Sequence, residues 1–166
     1  MPCACKNVEP DYPVTDKWGP VLWAVLHTLA QKSGKLSTPS FRDDERRQWM
    51  NIITGLPKII PCPNCREHAE VWILLNPCTA IKTMPDSDLH DWLVNWVYAF
   101  HESVNARTGK PVFDRDLLAS QYGPVSIPGA LARLKPFIED AIRLSGVTLL
   151  PWKKWLGHVI MLNSFY

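Results

Sequence analysis

The spacing of apolar residues constrains this chain most. Leu89, Trp92, Leu93, Trp96, Val97, Phe100 and Val104 recur at intervals of three and four, which over about four turns makes one apolar stripe on a helix. Asp86, Ser87 and Asp88 precede the run as N-capping candidates. The same period runs through Leu22, Val25, Leu26 and Leu29, with Pro20 suited to a first helical turn and Gly34 to a stop. It returns in Trp49, Ile52, Ile53 and Leu56, after a capping-box variant of Ser40 and Asp43 and before Pro57. A third helix is predicted from Cys62, with Pro63 at a tolerated early position, through Ala69, Trp72 and Ile73 to Leu75. No stretch alternates at period two and no segment repeats. The predicted fold is all-α: a four-helix bundle whose facing helices supply both the core and any cofactor cavity.

The chain has 166 residues, 46% hydrophobic and 20% charged, which suits one globular domain with its own core. Its formal charge of +2, without a basic cluster, offers no field for nucleic acid. The longest nearly apolar run, 21–30, is half of the ~20 residues a membrane span needs, and it contains His27. Residues 1–17 read as a flexible, proline-bearing arm whose chemical feature is Cys3-Ala4-Cys5. The arm has neither a secretory apolar region nor an Arg-rich transit helix, so the expected compartment is the cytosol. Residues 115–166 read as a C-terminal helical extension. It holds a short segment around Leu117 and Leu118, a helix from Pro128 to Ser145 with Pro136 as a kink point, and a last helix from Pro151. The face of Trp152, Trp155, Leu156 and Val159 on that last helix is expected to pack on the bundle.

Cysteines in a reducing compartment are more often catalytic, metal-binding or inert than structural bridges. Cys62-Pro63-Asn64-Cys65 is the sharpest local signal among the five cysteines. Two cysteines three apart at a helix start can close a disulfide, and the first gains acidity from the free amides of the first turn. A zinc reading would add His68 and Cys78 to make a set of four, although no second pair has the spacing of a zinc ribbon or finger. Trp23 and His27 share one helix face, and His101 and Asn105 border the stripe that carries Trp96. Indole and imidazole faces with nearby amides suit a planar aromatic ligand. Each of these residues taken singly is also an ordinary core or border residue.

Three blocks in order carry a resemblance: Trp18-Gly19 leading to Trp23-Ala24-Val25-Leu26-His27; Pro61-Cys62-Pro63-Asn64-Cys65; and Trp96 followed by the stretch from His101 to Asp114, His-Glu-Ser-Val-Asn-Ala-Arg-Thr-Gly-Lys-Pro-Val-Phe-Asp. Together they resemble the Erv/ALR sulfhydryl oxidases, over Trp18 to Asp114. The resemblance implies that residues 18–114 are a helical bundle holding FAD at one end, commonly as a homodimer. It implies that Cys62 and Cys65 form the redox-active disulfide, with Cys65 the sulfur nearer the flavin. Gly19, Trp23, His27, Trp96, His101, Val104, Asn105 and Lys110 fall on the family's flavin-binding positions. Cys3 and Cys5 would be the mobile shuttle pair, passing electrons from protein thiols toward dioxygen as acceptor. Among family settings, a virus-encoded protein of the host cytoplasm fits the missing targeting segment best.

The chain departs from the family at several points. Glu102 stands where the family has Asn and is expected to face water; Ile60 replaces an aromatic residue; and Cys78 lacks the partner of an extra structural disulfide, Trp92 occupying that region. The arm's Cys-x-Cys is shorter than the Cys-x-x-Cys of some relatives. The alternative function is a zinc-stabilised helical interaction module built on Cys62, Cys65, His68 and Cys78.

Overall fold

A computed structural model describes residues 13–166, and every described element is helical. The α-helices are α1 (Thr15–Lys32), α2 (Arg42–Gly55), α3 (Pro63–Leu75), α4 (Asp86–Thr108), α5 (Leu118–Tyr122), α6 (Ile127–Arg143) and α7 (Leu149–Asn163). Short 3-10 turns lead into α2, α3, α4 and α5. No helix among the described residues is long and apolar enough to cross a membrane.

Helix α1 begins at Thr15 rather than at Pro20. The Val14 carbonyl accepts the Lys17 amide at 2.9 Å to start the first turn, and the Trp18 indole donates to the Pro13 carbonyl at 3.1 Å. Pro20 therefore lies inside the helix and costs it the bond that residue 20 would have made to the Asp16 carbonyl. The Ser40–Asp43 capping box is not formed: Ser40 belongs to the 3-10 turn Pro39–Phe41, and α2 starts from Phe41 without a side-chain cap. At α4 the three capping candidates also go unused as caps. Asp86 instead binds Arg42 at 2.9 Å and Arg46 at 2.5 Å, and these guanidinium partners, Arg46 foremost, hold its carboxyl below the usual carboxylate range. Helix α4 stops at Gly109, whose φ of 68° is the left-handed conformation that only glycine takes without strain.

Residues 115–166 share the bundle's core. Helix α6 lies along α1 and α7 along α2, so that Leu134, Ile138, Trp155 and Val159 join one apolar cluster with Leu22, Val25, Leu29 and Ile52. Polar contacts fix the seams. The Trp155 indole donates to the Ile52 carbonyl at 3.1 Å, and the Thr28 hydroxyl to the Tyr122 carbonyl at 3.2 Å. The Tyr166 hydroxyl donates to the buried Glu45 carboxylate at 2.8 Å and accepts from the Trp49 indole at 3.1 Å. The expectation that the last helix packs inward holds, with Trp152 and Trp155 both buried.

Removing a buried aromatic side chain of this size costs about 3–5 kcal/mol. Trp155→Ala is expected to lower the unfolding free energy by that amount in urea titration. A loss below about 1 kcal/mol, the level of a surface change, would show that α7 is not part of the cooperative core.

Candidate active site

The backbone at Cys62 is extended, which makes this residue the N-cap of α3, with Pro63 opening the helix. That arrangement points the first-turn amides at sulfur: the Cys65 N–H donates to Cys62 Sγ at 3.2 Å. Cys62 and Cys65 are joined as a disulfide. The loop before it is held by Arg66, whose guanidinium donates to the Ile60 carbonyl at 2.9 Å and to the Gly146 carbonyl in the α6–α7 turn. Ile60 itself is buried.

Cys65 opens onto a cavity of about 730 Å³ lined chiefly by α1 and α4, within the ~300–1,000 Å³ usual for cofactor sites. Of the positions expected to bind flavin, Gly19, Trp23, His101, Val104, Asn105 and Lys110 lie on its wall. The Trp23 indole and the His101 imidazole stack with centroids 4.1 Å apart and planes 11° apart. A Cβ on Gly19 would meet only Thr15 Cγ2, at 3.8 Å, so the glycine leaves usable space to the cavity. Lys110 and Arg107 bring positive charge to the wall, and Lys110 Nζ pairs with Asp16 at 3.1 Å. A flat aromatic shelf, an open backbone at Gly19 and two cations fit a flavin ring with a diphosphate tail.

Two expected ligands lie off the wall. His27 is buried behind His101: its Nε2 and His101 Nδ1 are 2.9 Å apart, and its ring stacks on Tyr122 at 4.5 Å. That contact engages His101 through its Nδ1. Trp96 is buried against Trp72, and its indole N–H is spent on the Asn76 carbonyl at 2.9 Å. Glu102 does not simply face water. Its Oε1 accepts from Asn105 Nδ2 at 2.8 Å and from the Phe113 amide at 3.1 Å. Cys3 and Cys5 lie outside the described residues.

The zinc set is not assembled. Cys62 and Cys65 are bonded to each other, His68 is hydrogen-bonded to Ser103 at 3.1 Å, and Cys78 is buried with its thiol pKa pushed up by desolvation. No group of three or more His, Cys, Asp or Glu among the described residues could hold a metal.

Tyr122, Val125, Arg107, Pro20 and Ala24 also line the cavity, and none of them is among the expected site residues. For Arg107 a signal exists: it stands three residues after Val104, on the same face of α4. Tyr122 and Val125 lie in the C-terminal extension, where no motif points to the cavity.

Burial pushes the His27 pKa down to about 3, helped by His101, and the His101 pKa down to about 4, opposed by Glu102 and helped by Lys110. Both rings are neutral at pH 7, so one nitrogen donates and the other accepts. In the unfolded chain a histidine titrates near 6.5, so acid protonates the unfolded state first. Stability is expected to be full above about pH 6.5 and to fall as pH drops toward 4. His27→Gln should flatten that fall, as read by denaturant unfolding at each pH; an unchanged slope would contradict the buried neutral pair.

The sequence pattern of the Erv1/Alr family matches residues 20–123. The chain is 30% identical over 129 residues to a protein of African swine fever virus named FAD-linked sulfhydryl oxidase, covering 70% of this chain and 98% of that one. It is 25% identical over 139 residues to a protein of Invertebrate iridescent virus 3 named putative FAD-linked sulfhydryl oxidase 096R, covering 84% and 80%. It is 28% identical over 105 residues to the mitochondrial FAD-linked sulfhydryl oxidase erv1 of Schizosaccharomyces pombe, covering 63% of this chain and only 53%, about half, of that relative. No solved structure matches the chain. The matched span carries the disulfide and most of the cavity wall, and on these grounds the chain belongs to the Erv1/Alr family.

Proposed function

We propose that the chain is an FAD-linked sulfhydryl oxidase that forms disulfide bonds in thiol-bearing proteins. The observation that carries this reading is the placement of one sulfur of a helix-capping disulfide, Cys65, on the wall of a cavity shelved by Trp23 and His101.

A substrate thiolate attacks Cys62, the sulfur away from the cavity, and the bond to Cys65 breaks with Cys65 leaving as thiolate. A second substrate thiolate then attacks its own sulfur in the mixed disulfide and expels Cys62. That departure is eased because Cys62 at the N-cap accepts the Cys65 amide and feels the positive end of α3. The substrate leaves as a disulfide, and its two electrons are held in the Cys62–Cys65 dithiol. FAD held at this site would supply the two-electron acceptor for that dithiol, with dioxygen as the final acceptor and hydrogen peroxide as the product. Within the protein, Cys65 faces the cavity, the Trp23–His101 stack would hold a flat ring there, and Lys110 and Arg107 would offset diphosphate charge.

We also propose that Cys3 and Cys5 relay electrons from protein substrates to Cys62, a role supported by their Cys-x-Cys spacing on a polar arm. A homodimer and the host-cell cytoplasm of a virus are the proposed assembly and location. They are supported by the family resemblance and by the viral relatives.

Cys65→Ser is expected to reduce dithiothreitol-driven oxygen uptake to background while the protein stays folded and yellow. Turnover at the parent rate would contradict the role of Cys65. Replacing both Cys3 and Cys5 by Ser should spare dithiothreitol turnover and slow oxidation of a reduced protein substrate; equal loss on both substrates would contradict the relay.

A further inference from the structure

Glu102 lies between two wall residues, His101 and Asn105, without lining the cavity itself. One of its oxygens does two jobs, accepting from Asn105 Nδ2 at 2.8 Å and from the backbone N–H of Phe113 at 3.1 Å. The carbonyl of the same residue, Phe113, accepts the Tyr98 hydroxyl at 2.9 Å. Tyr98 and Glu102 are one turn apart on α4, so both polar groups of Phe113 are pinned to one face of that helix. The segment from Lys110 to Phe113 is thus a strap. It leaves α4 through the left-handed Gly109, is held at its start by the Lys110 amide on the Asn105 carbonyl at 2.9 Å, and is fastened at its end by Tyr98 and Glu102. Its one cavity-lining residue, Lys110, reaches across to Asp16 on α1.

We propose that Glu102 is a positioning residue for the bound flavin nucleotide: a single carboxylate oxygen aims the Asn105 amide and fastens the strap that carries Lys110 along the cavity. The proposal rests on the FAD reading above and deepens it. Direct contact between Glu102 and the nucleotide is not needed, since the residue is absent from the cavity wall and acts through Asn105 and Phe113. Losing the carboxylate strands two donors at once, Asn105 Nδ2 and the Phe113 amide, so Asn105 loses its orientation and the strap its anchor.

The test compares the flavin-loaded parent with Glu102→Ala and Glu102→Gln, reading the FAD dissociation constant by flavin fluorescence and hydrogen exchange at the Phe113 amide. Glutamine keeps an oxygen on the same stem that can accept both bonds. Glu102→Ala is expected to raise the dissociation constant about tenfold or more and to speed exchange at Phe113, whereas Glu102→Gln should stay within about threefold of the parent on both. Should the alanine variant not fold, Tyr98→Phe frees the other side of the same residue and is expected to weaken FAD binding about fivefold. Parent-like FAD binding by the alanine variant, equal loss in the alanine and glutamine variants, or an unprotected Phe113 amide in the parent would overturn the proposal. A parent that binds no FAD would overturn the oxidase reading itself, whatever the amide shows.

Discussion

The bond between two neutral imidazoles, His27 on α1 and His101 on α4, is the contact on which the site depends. Burial keeps both rings neutral at pH 7, each with a single N–H, so one nitrogen donates to the other across 2.9 Å. Each ring is then covered by an aromatic neighbour: Trp23 lies on His101, and Tyr122 lies on His27. Three helices, α1, α4 and α5, are tied at one point by this stack, and the cavity is the space beside it. Charging His27 would place a cation in a buried site beside the other imidazole, which links the pH behaviour of the fold to the geometry of the wall.

The redox helix is held differently. Ala69 is the only residue of α3 that is fully buried, and Leu74 and Leu75 are exposed. Its fastening is concentrated on one side, where His68 bonds Ser103 and Trp72 stacks on Phe100 at 4.8 Å. At its start, Arg66 joins the loop before the disulfide to the turn between α6 and α7. The C-terminal helices therefore have two effects in this chain. They bury the outer faces of α1 and α2, and through Gly146 they help fix where the disulfide sits.

Much of this is legible in the sequence, and the failures have identifiable physical causes. Periodicity locates α2 and α4 because their stripes are buried on one side, and α3 through Ala69 and the partly buried Trp72 and Ile73. Cys62 is readable as a helix start because Pro63 tolerates the first turn. Pro20 misleads, because a helix interior can absorb one missing hydrogen bond near its beginning. Motif position puts Trp96 and His27 on the flavin wall, but an inward-facing residue can meet another helix instead of the cavity. The water-facing expectation for Glu102 fails because its two partners, Asn105 and Phe113, come together only once the chain turns back at Gly109. Tyr122 escapes the sequence for the same reason, since its contact with His27 is made across tertiary structure.

The proposed oxidase stands on electron exchange between the Cys62–Cys65 couple and a flavin beside Cys65. Anaerobic addition of a small dithiol to the purified protein, followed in the visible absorption band of the flavin, tests it most directly. The expected result is a yellow protein whose band bleaches on addition and returns when air is admitted. A colourless protein, or a yellow one whose band ignores the dithiol, would contradict it.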